Sequence, residues 1–288
     1  MKVHEIVEWA KYAERRGYGY VLRSDHLLPI ETGKDQDSPE AWVTLGVLAA
    51  ETKKIKFGPL VTPIGFRNPA LLSRMACNVH DYSHGRLVLG VGAGWYKDEY
   101  YANGYEFPKY TVRYEQFVEA LSIIKPLVEG RPVNFQGKYF RVNTRCYPKG
   151  KLHLIIGGKN ARIIRAVEKY ADEWNIADTS IPEIKKLVQQ KSVNTKIAVS
   201  QMGPFFMAEN MRQLRRKLNQ KSIFSQIYGT PLSTDTLRKR GVLCGTPDEF
   251  TSQVNELSEA GIQKFYFQIL NPKDKEMVGL LTSTLKTL

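Results

Sequence analysis

The sequence predicts an α/β protein built on parallel strands, and three observations carry that reading. Segments with helical apolar spacing alternate with short strand-like apolar runs from one end of the chain to the other. No linker or low-complexity segment interrupts the alternation. With 288 residues, 42% hydrophobic and 25% charged, the chain has the composition of an ordinary globular protein with a sizeable core. Alternation of this kind requires crossover helices between parallel strands. Two architectures satisfy it: an open doubly wound sheet and a closed (β/α)₈ barrel.

Taken in order, "EIVEWAKYAERRG" places Ile6, Trp9, Ala10 and Ala13 at helical spacing and ends at Gly17. "YGYVLRS" is a short strand. The next helix, "SPEAWVTLGVLAAETKK", is predicted to start at a Ser38 N-cap with Pro39 in its first turn. "IKFGPLVTP" is a strand, "NPALLSRMACNVHDYSHG" a helix and "RLVLGVG" a strand. "WYKDEYYANGYEFP" reads as an aromatic loop with turn residues. "YTVRYEQFVEALSIIKPLVEG" is a long helix stopped by Gly130 and Pro132. "RPVNFQGKYFRV" alternates around Gln136-Gly137 as a hairpin does. "KLHLIIGG" is a strand feeding the helix "NARIIRAVEKYA", and "EWNIA" and "KIAVSQMGPFFMA" are strands. A basic helical stretch follows around 208–221, then the helix "TPDEFTSQVNELSEAG", the strand "KFYFQIL" and a terminal helix. Strands thus begin near residues 18, 55, 87, 152, 174, 196 and 264, and the first element is a helix.

No run approaches the 18 apolar residues of a membrane helix, and the charged N-terminus lacks the apolar core of a secretory signal. Cys77, Cys146 and Cys244 are isolated, with no C-x-x-C pair, which fits a reducing cytoplasm and argues against a disulfide framework or a cysteine zinc site. His80 and His84 have helical metal-ligand spacing, but no third ligand accompanies them. The net charge of +13 is spread over "KKIK", "RQLRRK" and "RKR". No nucleic-acid-binding signature accompanies these runs, and solvated helix faces explain them.

"GRLVLGVGAGWYKDEY" tests the choice of architecture. A dinucleotide fingerprint needs G-x-G-x-x-G opening directly onto a helix. Gly90-x-Gly92 begins correctly, but Trp95 stands at the third position and Gly94 comes one residue early. The motif fails.

Six stretches, read together, resemble one family. They are "RRGYGYVLRSDHLLP", "FGPLVTPIGFRNPALLSRMA", "GRLVLGVGAGWYKDEYYANG", "RYEQFVEALSIIKPLVEGRPVNFQGKYFRV", "LIIGGKNARIIRAVEKYADEWN" and "GTPDEFTSQVNELSEAGIQKFYFQ". In this order they are similar to the luciferase-like flavin- and deazaflavin-dependent oxidoreductases, the bacterial luciferase superfamily. The resemblance covers most of residues 14–178 and 241–270. It implies one TIM-like (β/α)₈ barrel domain over 1–288, with residues 203–245 a variable insertion or lid. It also implies FMN or coenzyme F420 at the C-terminal ends of the strands, the two being undecided. The chemistry implied is monooxygenation by a reduced flavin or hydride transfer to and from the deazaflavin. The implied partners are a small-molecule substrate and the reduced flavin or deazaflavin, in a cytoplasmic homodimer without nucleic acid or membrane.

The resemblance also distributes roles. Asp25 and His26 follow the first visible strand; the pair implies a cofactor contact by Asp25 and proton transfer by His26, since an imidazole suits proton transfer near neutral pH. On the residues alone, a capping aspartate and a structural histidine are the simpler reading. The aromatic residue that some deazaflavin dehydrogenases carry four positions after this histidine is replaced by Ile30. Trp95 stands where the sugar-phosphate branch has an acidic catalytic residue, and reads as a substrate contact or as lid packing. Asp98 is a further cofactor candidate. In "GPLVTP" the resemblance implies a non-prolyl cis peptide joining Pro59 and Leu60 behind the ring, with Thr62 at its edge. Ala93 and Gly94 lie at the small-residue end of their strand, where a bulky side chain would fill space needed by the ring. "IIGGKNAR" has the form of a phosphate cradle in Gly157, Gly158 and Lys159, ahead of a helix N-terminus. Arg162 and Arg165 add charge there or face solvent.

A barrel of this family begins with a strand before its first helix, and here the first visible element is that helix. The expectation is a barrel lacking its first strand. A non-catalytic or degenerate flavin-binding barrel is therefore the alternative to an active oxidoreductase.

Overall fold

The computed structural model describes residues 1–29, 37–190 and 196–288, and the chain forms two compact units, Met1–Trp174 and Asn175–Leu288. The first unit opens with α1 (Val3–Arg15), β1 (Tyr20–Arg23), α2 (Ala41–Glu51), β2 (Lys56–Pro59) and β3 (Thr62–Pro63). A 3₁₀ turn (Ile64–Phe66), α3 (Pro69–Tyr82), β4 (Leu89–Gly92), α4 (Lys97–Ala102) and α5 (Tyr110–Val128) follow. It continues with the hairpin β5 (Val133–Gln136) and β6 (Arg141–Thr144), then β7 (Leu154–Gly157) and α6 (Ala161–Tyr170). Strand β8 (Glu173–Ala177) carries the chain into the second unit.

The second unit contains α7 (Ile181–Gln189), β9 (Ala198–Met207), α8 (Met211–Leu218), α9 (Ile223–Tyr228) and α10 (Thr234–Lys239). β10 (Leu243–Gly245), α11 (Pro247–Glu259), β11 (Lys264–Gln268) and α12 (Lys275–Leu285) complete it. β9 pairs in parallel with β11 along Ser200–Pro204 and with β10 along Phe205–Met207. β10 lies in the stretch where sequence pattern alone identifies no strand, because three residues are too short to show a period.

Within the first unit every pairing except the β5–β6 hairpin is parallel. β1 pairs with β2, β3 with β4 and β4 with β7. The registers Arg23↔Pro59, Pro63↔Gly92 and Val91↔Ile156 bring the C-terminal ends of these strands level. Beneath them Leu87, Leu89, Leu154, Ile155 and Ile156 are buried together with Phe117, Leu121, Ile124 and Leu127 of α5. Each such side chain contributes roughly 1.5–3 kcal/mol on leaving water.

The glycine cluster has a different cause from the one its sequence suggests. A Cβ at Gly90 would stand 2.2 Å from the Pro59 carbonyl oxygen, and one at Gly92 would stand 2.7 Å from Val61 Cγ2. Gly90 and Gly92 admit the neighbouring chain. Val61 fills the hollow they leave, which Gly157 closes from the other side, its added Cβ falling 3.1 Å from Val61 Cγ1.

Three further details correct the sequence reading. The cis peptide joins Leu60 and Val61, one bond beyond the Pro59–Leu60 position expected, and lies between β2 and β3. The aromatic stretch after Trp95 contains a helix, α4, whose first turn holds Asp98 and Glu99, as suits a helix N-terminus. α2 is capped by Glu40, which accepts from the Val43 N–H at 2.6 Å, while Ser38 donates to the His26 carbonyl. No helix among the described residues is long and apolar enough to cross a membrane.

Two substitutions separate close approach from helix propensity. Gly90→Ala is expected to destabilise the protein by about 1–3 kcal/mol through overpacking. Gly46→Ala, in α2 with nothing within 4 Å of the new Cβ, is expected to stabilise it by about 0.5–1 kcal/mol. Urea midpoints at constant m-value measure both, and equal shifts for the two would refute the packing argument.

Candidate active site

The level strand ends gather side chains that are far apart in sequence. Asp25, two residues past β1, is 1% exposed, so its carboxylate must be matched inside the protein. Arg67, just past the 3₁₀ turn, donates to it twice, Nη1 to Oδ2 at 2.6 Å and Nη2 to Oδ1 at 3.3 Å. Thr62 Oγ1 donates to Oδ2 at 2.8 Å and in turn accepts from Trp42 Nε1 at 3.1 Å. An indole N–H only donates, so the direction of this relay is fixed: Trp42 to Thr62 to Asp25. Arg67 also pairs with Glu40. The buried aspartate therefore ties β1, β3, the 3₁₀ turn and α2 together.

His26 is the next residue, and a second buried acid holds it. Glu99 of α4, 1% exposed, lies with both carboxylate oxygens 3.0 Å from His26 Nδ1 and accepts the Leu27 N–H at 3.0 Å. A carboxylate can only accept, so Nδ1 carries the proton. In the neutral ring Nε2 then keeps its lone pair, and no described residue bonds to it. Trp95 meets the imidazole edge-on at 5.8 Å and stacks on Tyr96 at 5.4 Å, yet is 63% exposed.

On the buried side of α4, Tyr100 packs against Phe66 and Phe107, and its hydroxyl has no hydrogen-bond partner among the described residues. Burial raises its pKa above the usual phenol value, so the hydroxyl stays protonated. Gly94, at φ +79°, passes directly over it; an added Cβ would fall 2.2 Å from the oxygen.

The remaining sequence candidates are placed as follows. Leu60 is buried, Val61 half-buried and Thr62 buried at the end of β2 and the start of β3. Ala93 and Gly94 follow β4 and are half-buried. Asp98 is exposed on α4, and the acid that meets His26 is its neighbour Glu99. Gly157 ends β7, Gly158 follows at φ +135° and Lys159 is exposed. The N-terminal amides of α6 are less open than the sequence suggests, because Asn160 Oδ1 accepts from Arg162 N at 3.1 Å and Ile163 N at 3.0 Å. His80 Nδ1 donates to the Leu87 carbonyl at 3.0 Å. Ile30 lies outside the described residues.

Sequence reasoning missed Glu99, Arg67, Glu40 and Trp42. Glu99 lies 73 residues from His26 and Arg67 42 residues from Asp25, so no local spacing links them. Adjacent acids in a short segment, Asp98 and Glu99, were the one visible signal, and burial decides between them.

The family model for luciferase-like monooxygenases matches residues 1–264. The chain belongs to that family. The F420-dependent glucose-6-phosphate dehydrogenase of Amycolatopsis mediterranei is 26% identical over 91% of this chain and 87% of its own length. The 5,10-methylenetetrahydromethanopterin reductase of Archaeoglobus fulgidus is 24% identical over 98% and 94%. Among solved structures, an F420-dependent secondary alcohol dehydrogenase in complex with an F420-acetone adduct superposes with a TM-score of 0.83 at 20% identity, covering 99% of this chain and 94% of that one. That likeness assigns the TIM-barrel fold of the family to this chain.

The buried ion pair sets a stability prediction. Arg67→Met leaves Asp25 charged and uncompensated and is expected to cost about 3–5 kcal/mol. Adding Asp25→Asn should recover part of that loss in urea denaturation. A cost below about 1 kcal/mol for Arg67→Met, on the scale of exposed pairs, would contradict the network.

Proposed function

We propose that this protein is an F420-dependent oxidoreductase that moves a hydride between the deazaflavin and a small organic alcohol or related substrate. The observation that carries the reading is the His26–Glu99 pair: an imidazole locked by a buried acid, its Nε2 without a partner among the described residues, beside an exposed tryptophan at the strand ends. The cofactor named for the curated relatives points the same way.

The residues present suit such a cofactor by their chemistry. Leu60, Val61, Thr62, Ala93 and Gly94 would hold its ring system, with Asp25 acting through Thr62. Gly157, Gly158 and Lys159 would hold its phosphate; because Asn160 already caps α6, that task falls on the Lys159 charge and the glycine backbone. Asp98 would stand at the rim and Trp95 against the substrate. When bound, the oxidised deazaflavin supplies a two-electron hydride acceptor. His26 Nε2 accepts the substrate hydroxyl proton as the carbinol hydride departs, and Glu99 stabilises the imidazolium that results. In the reverse direction the imidazolium returns that proton to the carbonyl oxygen.

Equilibrium titration with F420 and with FMN, followed by fluorescence, tests the assignment. Saturable binding of F420, weakened by Lys159→Ala, is the expected result; binding of FMN alone would move the protein to the flavin branch, and binding of neither would overturn the reading. With any alcohol that reduces bound F420, His26→Ala should lower kcat by roughly 10²–10⁴-fold, the usual contribution of a general base. Unchanged kcat would remove His26 from the chemistry.

A further inference from the structure

Two cysteines with no part in this site meet inside the first unit. Cys77 lies in α3 and Cys146 in the loop after β6, both buried at 0% and 3% exposure. Each thiol is the other's strongest electrostatic neighbour across 69 residues of sequence. The loop folds back over the helix: a Cβ at Gly150 would fall 3.6 Å from His80 Cδ2 and 3.9 Å from Cys77 Sγ. Arg74, one helical turn before Cys77, donates to the Arg145 carbonyl at 3.2 Å, beside Cys146. The loop is open on both sides of Cys146, where Arg145 and Tyr147 are exposed and line a groove of about 530 Å³ with Arg74, Pro132, Asn143 and Thr144.

We propose that Cys77 and Cys146 form a dithiol site that a hydroperoxide converts to an internal disulfide. The two thiols are unequal. Cys146, stabilised as a thiolate chiefly by the Cys77 S–H and further by the Arg74 charge, is held below the ordinary thiol pKa. Cys77 is raised by the neighbouring Cys146 and by burial. A thiolate is the form that attacks peroxide, so Cys146 is the reacting sulfur and Cys77 the resolving one. Cys146 attacks the peroxide oxygen, the O–O bond breaks, and Cys146 becomes a sulfenic acid as water or an alcohol leaves. Cys77 sulfur then attacks Cys146 sulfur, its proton joins the departing hydroxyl, and water is released. Two thiols are oxidised and one hydroperoxide is reduced; an external dithiol reverses the change. Cys244 has no thiol partner, and burial pushes its thiol up to about 11, so it provides an internal control.

The test uses the full, reduced chain treated with stoichiometric hydrogen peroxide, then denatured, alkylated and mapped by mass spectrometry. The expected result is loss of two alkylatable thiols together and a mass lower by two hydrogens. A linked peptide joining Cys77 to Cys146, and recovery of both thiols with dithiothreitol, complete that result. Cys244 stays alkylatable. In Cys146→Ser, loss of Cys77 should slow by roughly tenfold or more, because its thiolate fraction is smaller. In Cys77→Ser, dimedone should trap a sulfenic acid on Cys146. Absence of the linked peptide in the native chain, or loss of all three thiols at one rate, would overturn the proposal without reference to either variant.

Discussion

The arrangement at the strand ends depends on one buried carboxylate. Asp25 has almost no exposure, so the fold must neutralise it with Arg67 and satisfy it through Thr62. Those partners lie in β3 and just past the 3₁₀ turn, and Trp42 of α2 joins through Thr62, so the network fixes all three relative to β1. Isolated, such a buried charge would be a large liability. Satisfied as it is here, it makes the position of the next residue a consequence of the network. That residue is His26, and Glu99 takes up its remaining freedom by claiming Nδ1. A buried acid holds the backbone and a second buried acid holds the ring.

The glycine-rich strand solves a different problem at the same edge. Val61 packs tightly against its neighbours where Gly90, Gly92 and Gly157 lack Cβ atoms. Gly90 and Gly92 let the strands approach around the half-buried Val61. The residues that suggest nucleotide binding in the sequence act here through strand packing.

Most of the parallel α/β plan was legible, because buried strands and amphipathic helices leave their periods in the sequence. "YGYVLRS", "KLHLIIGG" and "KFYFQIL" fall where β1, β7 and β11 lie. Elements without a period were lost: β10 has three residues and α4 has six, crowded with tyrosines. The site was half legible. Asp25 and His26 stand out after a strand, whereas the partners that give them a chemistry are distant in sequence and ordinary in type. An acid at 99 looks no different from one at 98 until burial distinguishes them. The same limit explains Cys77 and Cys146, isolated in the sequence and adjacent in the fold.

The central claim is that Glu99 fixes the tautomer of His26 and so leaves Nε2 as the proton acceptor. Two-bond ¹H–¹⁵N correlation spectra of protein labelled at histidine nitrogen measure this directly in the free chain. The account predicts that the neutral form of His26 carries its proton on Nδ1 with Nε2 bare, shifting toward the Nε2-protonated tautomer in Glu99→Ala. A wild-type His26 already protonated at Nε2, and unchanged by Glu99→Ala, would contradict it.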